Sequence, residues 1–236
     1  MARRPAICIV LLVSACAGAG RTRPGADASL DPTAGLPEYG PPELERDLEA
    51  TRRLIVDLVD ARPGMVVADI GSSYGYYIDA LAPALGPDGR YFATDIDPRV
   101  VEHLHRYETI VPILVPRLAR APRDTALDDL APESVDLILM IDSVVFSRPA
   151  DEAEERTDIE YLRRLARILR RSGRLIHRVA WLSEGHRTRE QVVSIFRTAG
   201  FSGATDDVAV PDHVPAVFRA PDGTVARRGF LLVFRR

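Results

Sequence analysis

The stretch from Val66 to Asp97 decides the fold of this chain. It begins V-V-A-D-I-G-S-S-Y-G-Y-Y, continues with a helical segment and ends G-R-Y-F-A-T-D-I-D. The pattern predicts a buried strand ending at Asp69, a tight turn with Gly71 and Gly75, and a second strand ending at Asp95. Glycines let a backbone approach a ligand, and an acid at the tip of the second strand can accept hydrogen bonds from ribose hydroxyls. The stretch therefore predicts an α/β fold that binds a cofactor containing a nucleoside.

The spacing of the turn indicates which cofactor. The turn reads D-x-G-x-S-x-G from Asp69 to Gly75, whereas dinucleotide-binding turns read G-x-G-x-x-G. It resembles the first motif of class I S-adenosylmethionine-dependent methyltransferases, D-x-G-x-G-x-G, with Ser73 in place of the middle glycine. The segment F-A-T-D-I-D-P, residues 92–98, is similar to the second motif of that family. The resemblance extends from about Pro41 to the C-terminus.

The resemblance implies a set of cofactor contacts. Asp69 would orient the turn and reach the amino group of the methionine part of S-adenosylmethionine. Gly71, Ser73 and Gly75 would bring the backbone close to the cofactor. The remaining predicted contacts are Asp95 with the ribose, Ile96 with the adenine ring, and Asp142 at the end of the fourth strand. Asp97 is interpreted instead as the cap of the following helix.

No general base stands out in the sequence. Asp142 is the one candidate catalytic residue, because open α/β sheets bind ligands at the carboxyl ends of their strands. His177 lies in the middle of a predicted strand, which favours a core histidine. A sulfonium is already an activated methyl donor, and positioning the acceptor can supply about 7–11 kcal/mol of a barrier. We therefore expect an enzyme, a methyltransferase, that acts on a small-molecule acceptor.

Strands and helices alternate along most of the chain. The pattern predicts strands at 65–70, 91–94, 109–115, 134–141 and 174–181, with helices between them, including a long one from Asp151 to Arg171. Residues 201–210 and 229–234 are predicted to close the sheet as an antiparallel hairpin. This order predicts a doubly wound, mostly parallel, seven-stranded sheet, the Rossmann-like methyltransferase fold.

The N-terminus has the pattern of an export signal. Arg3 and Arg4 precede a short apolar region, which is followed by L-V-S-A-C ending at Cys16. This resembles a bacterial lipoprotein signal peptide, residues 1–15, which is cleaved before a cysteine that carries lipid. An ordinary signal peptide is one alternative, and a misassigned start codon with a cytoplasmic protein is another. Residues 16–40 are predicted to be a flexible linker, and residues 41–236 the methyltransferase-like domain.

Composition excludes several function classes. The 236-residue chain contains no Lys and no Asn, which excludes a Schiff-base lysine and a P-loop. Its five histidines are scattered, which predicts no metal site, and its formal charge of −3 predicts no nucleic-acid partner. A cluster of arginines between Arg163 and Arg174 is interpreted as a solvated helix face. The export signal leaves one alternative function open, a non-catalytic envelope lipoprotein that uses the fold for binding or scaffolding.

Overall fold

A computed structural model describes residues 52–143, 146, 150–183, 186–205, 217–219 and 225–236. The predicted signal peptide, Cys16 and the linker lie outside the described residues. The strands are β1 (Val66–Ile70), β2 (Arg90–Asp95), β3 (Leu114–Leu118), β4 (Val135–Ile141), β5 (Leu169–Ser183), β6 (Ser202–Thr205), β7 (Val217–Arg219) and β8 (Val225–Arg235). The helices are α1 (residues 52–59), α2 (Ile78–Leu85), α3 (Pro98–Tyr107), α4 (Glu152–Ile168) and α5 (Arg189–Thr198). No helix among these residues is long and apolar enough to cross a membrane.

All eight strands form one sheet. Its order is β3-β2-β1-β4-β5-β8-β6, and β7 pairs with β8 beside this path. Strands β1 to β5 are parallel, and β8 runs antiparallel to β5, β6 and β7. The predicted α/β, doubly wound, mostly parallel sheet with a C-terminal antiparallel hairpin is confirmed, and the short β7 is one strand more than the seven predicted.

Helices cover both faces of the sheet because its central strands are apolar on both sides. In β4, Leu137 and Leu139 face α1, α2 and α3, whereas Ile138 and Met140 face α4 and α5. All four side chains are fully buried. Burial on both faces is typical of a parallel sheet and explains the continuous hydrophobic run. Because β1, β2 and β4 are parallel, their carboxyl ends meet at one edge of the sheet.

Two predicted boundaries are wrong for local reasons. Strand β3 begins at Leu114 and not at residue 109, because residues 110 and 111 donate backbone hydrogen bonds to Tyr107 and extend the end of α3. Helix α4 ends at Ile168 and not at Arg171, and β5 begins at once. The β4–β5 register shifts after Leu169, and an added Cβ at Gly173 would lie 2.9 Å from the Asp136 carbonyl oxygen. Gly173 therefore allows a close backbone approach within a strand and does not end a helix.

The arginine cluster is largely used for internal contacts. Arg164 pairs with Asp128, Arg170 with Asp136 and Arg171 with Glu133. Arg174 donates to the carbonyl oxygens of Leu58 and Val59 at distances of 3.1 and 2.7 Å. These two carbonyls are at the C-terminal end of α1, where a cation is also favoured by the helix dipole. The cluster thus fixes α1 and the β3–β4 loop to the sheet.

His177 is a core residue, as its position in the strand predicts. It is fully buried, and its ring contacts Phe146, Phe196 and Phe230 at centroid distances of 5.5, 5.4 and 6.2 Å. Its Nδ1 lies 3.2 Å from the Met140 carbonyl oxygen. Burial lowers the pKa of His177 to about 4.

This burial predicts a loss of stability in acid. Between pH 6.5 and about 4 the unfolded chain binds a proton at His177 that the folded chain does not, so this contribution to stability falls as the pH falls. A His177→Phe variant should therefore gain about 3 kcal/mol in free energy of unfolding, relative to the unmodified chain, between pH 7 and pH 4. Urea unfolding of both chains at several pH values measures this difference. A difference that does not change with pH would contradict the prediction. Because burial raises the pKa of Asp69, its contribution to stability rises as the pH falls. Asp69 is present in both chains, so this contribution cancels in the comparison.

Candidate functional site

The turn after β1 is attached to the end of β2. The backbone N–H groups of Gly71 and Ser72 both donate to the Thr94 carbonyl oxygen, at 2.8 and 2.9 Å. Gly71 and Gly75 have φ angles of +69° and +88°, which are left-handed conformations that glycine adopts at little cost. Ser73, at the position of the family's middle glycine, has a φ of +49°. The chain thus forms the glycine-type turn in spite of the serine.

Asp95 holds this turn in place. One carboxylate oxygen accepts a hydrogen bond from the Ser73 N–H at 3.0 Å, and the other accepts from the Asp97 N–H at 2.9 Å. A carboxylate has about four lone-pair positions, so two remain for a ligand. Burial raises the pKa of Asp95 above its usual value, and the backbone donors partly oppose this effect. The turn and the tip of β2 are therefore joined by the acid predicted to bind ribose.

Two apolar side chains flank Asp95 and face solvent. Ile96 is 53% exposed and Leu118 is 41% exposed, and Leu118 is the register partner of Asp95 on β3. Exposed large apolar residues next to a polar anchor are typical of a surface that contacts a flat ligand. The position of Ile96 fits the predicted contact with an adenine ring.

Asp69 lies deeper than a residue in open contact with a ligand. Its side chain is 2% exposed, and it accepts a hydrogen bond from the Tyr91 hydroxyl at 2.7 Å. Burial raises the pKa of Asp69 to about 7, the nearby Asp95 carboxylate raises it further, and the Tyr91 hydrogen bond opposes the shift. The predicted contact of Asp69 with the turn backbone is not among the hydrogen bonds of the described residues.

Asp142 stands at the carboxyl end of β4, as predicted. Its φ is +54°, its N–H donates to the Arg178 carbonyl oxygen at 3.0 Å, and its carboxylate forms an ion pair with the Arg178 guanidinium. Tyr77, at the start of α2, is buried close to this pair. Burial and the Asp142 charge raise the pKa of Tyr77 above its usual value. Asp142 is therefore an oriented acid next to the turn, with a fixed cationic partner.

Two serine hydroxyls at this edge have no hydrogen-bond partner in the described structure. Ser72 Oγ is in the turn, and Ser143 Oγ is in the loop after β4. Buried hydroxyls in proteins are nearly always hydrogen-bonded, so an orphan deserves a physical explanation. A polar ligand between the turn and the β4 loop would supply the missing partners.

Strained backbone is concentrated at the same edge. Of six non-glycine residues with positive φ among those described, five lie in the turn or in the loops after β3 and β4. They are Ser73, Arg123, Ala126, Glu133 and Asp142, and Glu133 lies at the end of its loop, next to the start of β4. Each costs about 1–2 kcal/mol relative to a right-handed conformation, and such residues cluster at functional sites.

Buried ion pairs tie the loops at this edge to α4. Asp158, which is 4% exposed, accepts from Arg123 Nε at 2.6 Å and from Arg187 Nη1 at 3.2 Å. Arg187 also donates to the Phe146 carbonyl oxygen at 3.0 Å and to Glu155 at 2.9 Å. The loops after β3, β4 and β5 are thus fixed to one helix.

The structure brings together all the predicted cofactor contacts, namely Asp69, Gly71, Ser73, Gly75, Asp95, Ile96 and Asp142. Asp97 caps α3 as predicted, because its side chain accepts from the Arg99 N–H. Phe146, in the loop after β4, is fully buried, and its ring contacts Tyr161, His177 and Phe196. Val144 and Val145 lie outside the described residues. Metal-type ligands do not cluster in groups of three or more within the described part of the chain.

Sequence reasoning missed Tyr91, Arg178 and the Asp158 pairs. Tyr91 could have been found from the strand register. Its partner on β1 is Val67, two residues before Asp69, so its long side chain reaches Asp69 on the same face. The ion pairs join residues about 30 positions apart or more, and no local pattern predicts them.

The contact between Gly71 and Ser143 predicts a large effect of a single methyl group. A Cβ added at Gly71 would lie 2.3 Å from Ser143 Cβ, at a φ that already disfavours alanine. We expect Gly71→Ala to lower the free energy of unfolding by more than about 2 kcal/mol, because strain and overpacking add. Gly86→Ala is the matched control, with a φ of +66° and no atom within 4 Å of the added Cβ. Equal losses in the two variants, measured by denaturant unfolding, would contradict the close approach.

Comparison with known proteins identifies the fold of this chain. No protein-family model matches the sequence, and no curated protein matches it. The chain is similar in structure to geranyl diphosphate C-methyltransferase from Streptomyces coelicolor A3(2), with a TM-score of 0.59 and 13% identity over 86% of this chain and 88% of that one. That structure contains S-adenosyl-L-homocysteine.

Two further solved structures are similar to this chain. Fibrillarin from Aeropyrum pernix, solved with natively bound S-adenosyl-L-methionine, has a TM-score of 0.53 and 15% identity over 79% of this chain and 74% of that one. A possible exported protein from Bordetella parapertussis has a TM-score of 0.53 and 16% identity over 81% of this chain and 67% of that one. The chain therefore has the fold of class I S-adenosylmethionine-dependent methyltransferases.

Proposed function

We propose that this chain binds S-adenosylmethionine at the carboxyl ends of β1, β2 and β4 and transfers its methyl group to a small-molecule acceptor. The proposal rests on the hydrogen bond between the Ser73 N–H of the glycine-type turn and the Asp95 carboxylate, which lies next to the exposed Ile96. These residues would hold a ribose and an adenine ring side by side. The orphan hydroxyls of Ser72 and Ser143 would bind polar groups at the other end of the cofactor.

The cofactor supplies an activated methyl group, and the chain's residues supply position. Asp95 would accept hydrogen bonds from the two ribose hydroxyls with its remaining lone pairs. Asp142, oriented by Arg178, would face the acceptor side and is the candidate to receive the acceptor's proton. The loops fixed by Asp158 would limit the movement of the acceptor, which supports catalysis by proximity.

Calorimetric titration tests the cofactor step. The full-length chain is titrated with S-adenosylmethionine, with S-adenosylhomocysteine, and with a dinucleotide as the control ligand. We expect both adenosyl ligands to bind and the dinucleotide not to bind. Formation of S-adenosylhomocysteine in the presence of fractionated small metabolites then tests transfer. No binding at millimolar ligand by a chain shown to be folded would overturn the proposal.

A non-catalytic envelope module is the second candidate. One observation favours it: Ser73 has a left-handed backbone at a position where the family has glycine, which adds strain to the turn. The titration separates the two candidates. The non-catalytic envelope module would be favoured if a Ser73→Gly variant binds the cofactor and the unmodified chain does not.

We further propose export and membrane anchoring by lipid at Cys16. The order of charged region, apolar region and cysteine supports this proposal, and the similar fold of a possible exported protein agrees with it. Cells fed labelled fatty acid should label the unmodified chain in the membrane fraction and not a Cys16→Ala variant. Labelling of neither chain, with the protein in the cytoplasmic fraction, would favour a misassigned start codon.

A further inference from the structure

Asp69 is an acid that the described structure leaves without a cationic partner. It is the last residue but one of the central strand β1, between Ala93 of β2 and Leu139 of β4, and it is 2% exposed. Its hydrogen-bond donor is the neutral hydroxyl of Tyr91. No arginine or histidine of the described residues forms an ion pair with it, and the chain contains no lysine. Within the described part of the chain no cation balances an ionised Asp69, and a positively charged ligand would supply that charge.

The groups around Asp69 do not supply that charge. Strand β2 contributes Tyr91 and the Asp95 carboxylate, which is of the same sign. Helix α2 contributes Tyr77, whose hydroxyl is neutral at physiological pH. Arg178 of β5 pairs with Asp142, which follows β4. Burial therefore holds the pKa of Asp69 at about 7, so that close to half of the molecules are protonated there at neutral pH.

We propose that Asp69 releases a proton when S-adenosylmethionine binds, and that Tyr91 positions the Asp69 carboxylate for this change. The inference rests on the proposed function. The sulfonium and the α-ammonium of the ligand are positive charges, and both would lie at the edge of the sheet where β1 ends, close to Asp69. A positive charge in a site of low dielectric constant favours the ionised carboxylate. The proton leaves to the buffer, and the bound state holds an ion pair that the free protein lacks.

Calorimetry in two buffers measures the released proton directly. Titrations in phosphate and in imidazole at one pH differ in heat in proportion to the protons exchanged. We expect release of about 0.9 proton at pH 6, about 0.5 at pH 7 and about 0.1 at pH 8. The affinity should accordingly fall by about fivefold from pH 7 to pH 6. Adenosine, which has no positive group, is the matched ligand and should release no proton.

Two variants identify the source of the proton. Asp69→Asn removes the titrating group and should abolish the release, even if the affinity changes. Tyr91→Phe removes the hydrogen bond that stabilises the ionised form, so the midpoint of the release should move up by about one pH unit. A purely structural role of Tyr91 would leave that midpoint unchanged.

The outcomes separate this inference from the proposed function. Binding without proton release, or release that persists in Asp69→Asn, would overturn the inference and leave cofactor binding intact. The absence of binding by every adenosyl ligand would overturn the proposed function first. Release from the unmodified chain that disappears in Asp69→Asn and shifts upward in Tyr91→Phe supports both.

Discussion

Replacing Asp95 with alanine is expected to weaken S-adenosylmethionine binding by about 100-fold or more. The variant loses the acceptor for two ribose hydroxyls, and a hydrogen bond to a charged group contributes about 1.5–3 kcal/mol. It also releases the Ser73 N–H, which Asp95 holds at 3.0 Å, so the turn loses a support. Both effects act in the same direction. Calorimetric titration of the variant, with its folding checked by circular dichroism, measures the loss.

Asp97 provides the matched control two residues away. Its side chain caps α3 and makes hydrogen bonds with Arg99, away from the turn. Asp97→Ala should cost about 1 kcal/mol of stability, as the loss of a helix cap does, and should leave the affinity for the cofactor unchanged. An Asp95→Ala variant that binds as well as Asp97→Ala would show that the ribose assignment is wrong.

Local sequence was sufficient to predict the fold and the turn. Strands β1, β2 and β4 are apolar runs that end at an acid or at a turn residue, and parallel strands place those ends at one edge. Asp69, Asp95 and Asp142 therefore meet although they are up to 73 positions apart. The capping box of α5, in which Thr188 and Gln191 exchange hydrogen bonds, likewise joins residues three positions apart. These features depend on neighbours in sequence or on strand order alone.

The depth of Asp69 could not be predicted in this way. A motif places the acid near the end of β1, but its buried environment includes the Tyr91 hydroxyl from the next strand. The same limit applies to Asp142, whose ion pair requires Arg178 from β5. Both acids have chemistry set by residues distant in sequence, so the protonation of the site follows from tertiary packing.

Replacing Asp158 with alanine is expected to be the most destabilising change at the site edge. Arg187 is 8% exposed and would keep the half-exposed Glu155 as its remaining acidic partner among the described residues, while Arg123 would lose its 2.6 Å partner. Removing one partner of a buried ion pair costs about 3–5 kcal/mol in free energy of unfolding. The loops after β3 and β5 would be released together, because Asp158 is the residue that both guanidinium groups share. Denaturant unfolding at pH 7 measures this loss.

The cause of that loss can be separated from a general effect of mutating α4. Glu160 is an exposed acid on the same helix, and Glu160→Ala should change stability by less than about 0.5 kcal/mol. The double variant Asp158→Leu with Arg187→Met removes both buried charges and should be more stable than Asp158→Ala alone, since an apolar pair can replace a buried ion pair. If the double variant loses as much as the sum of its single changes, the two residues do not interact and the loops are held by other contacts. If the double variant recovers stability, the acceptor side of the proposed site depends on a balanced buried charge. Removing one partner should then impair methyl transfer more than removing both.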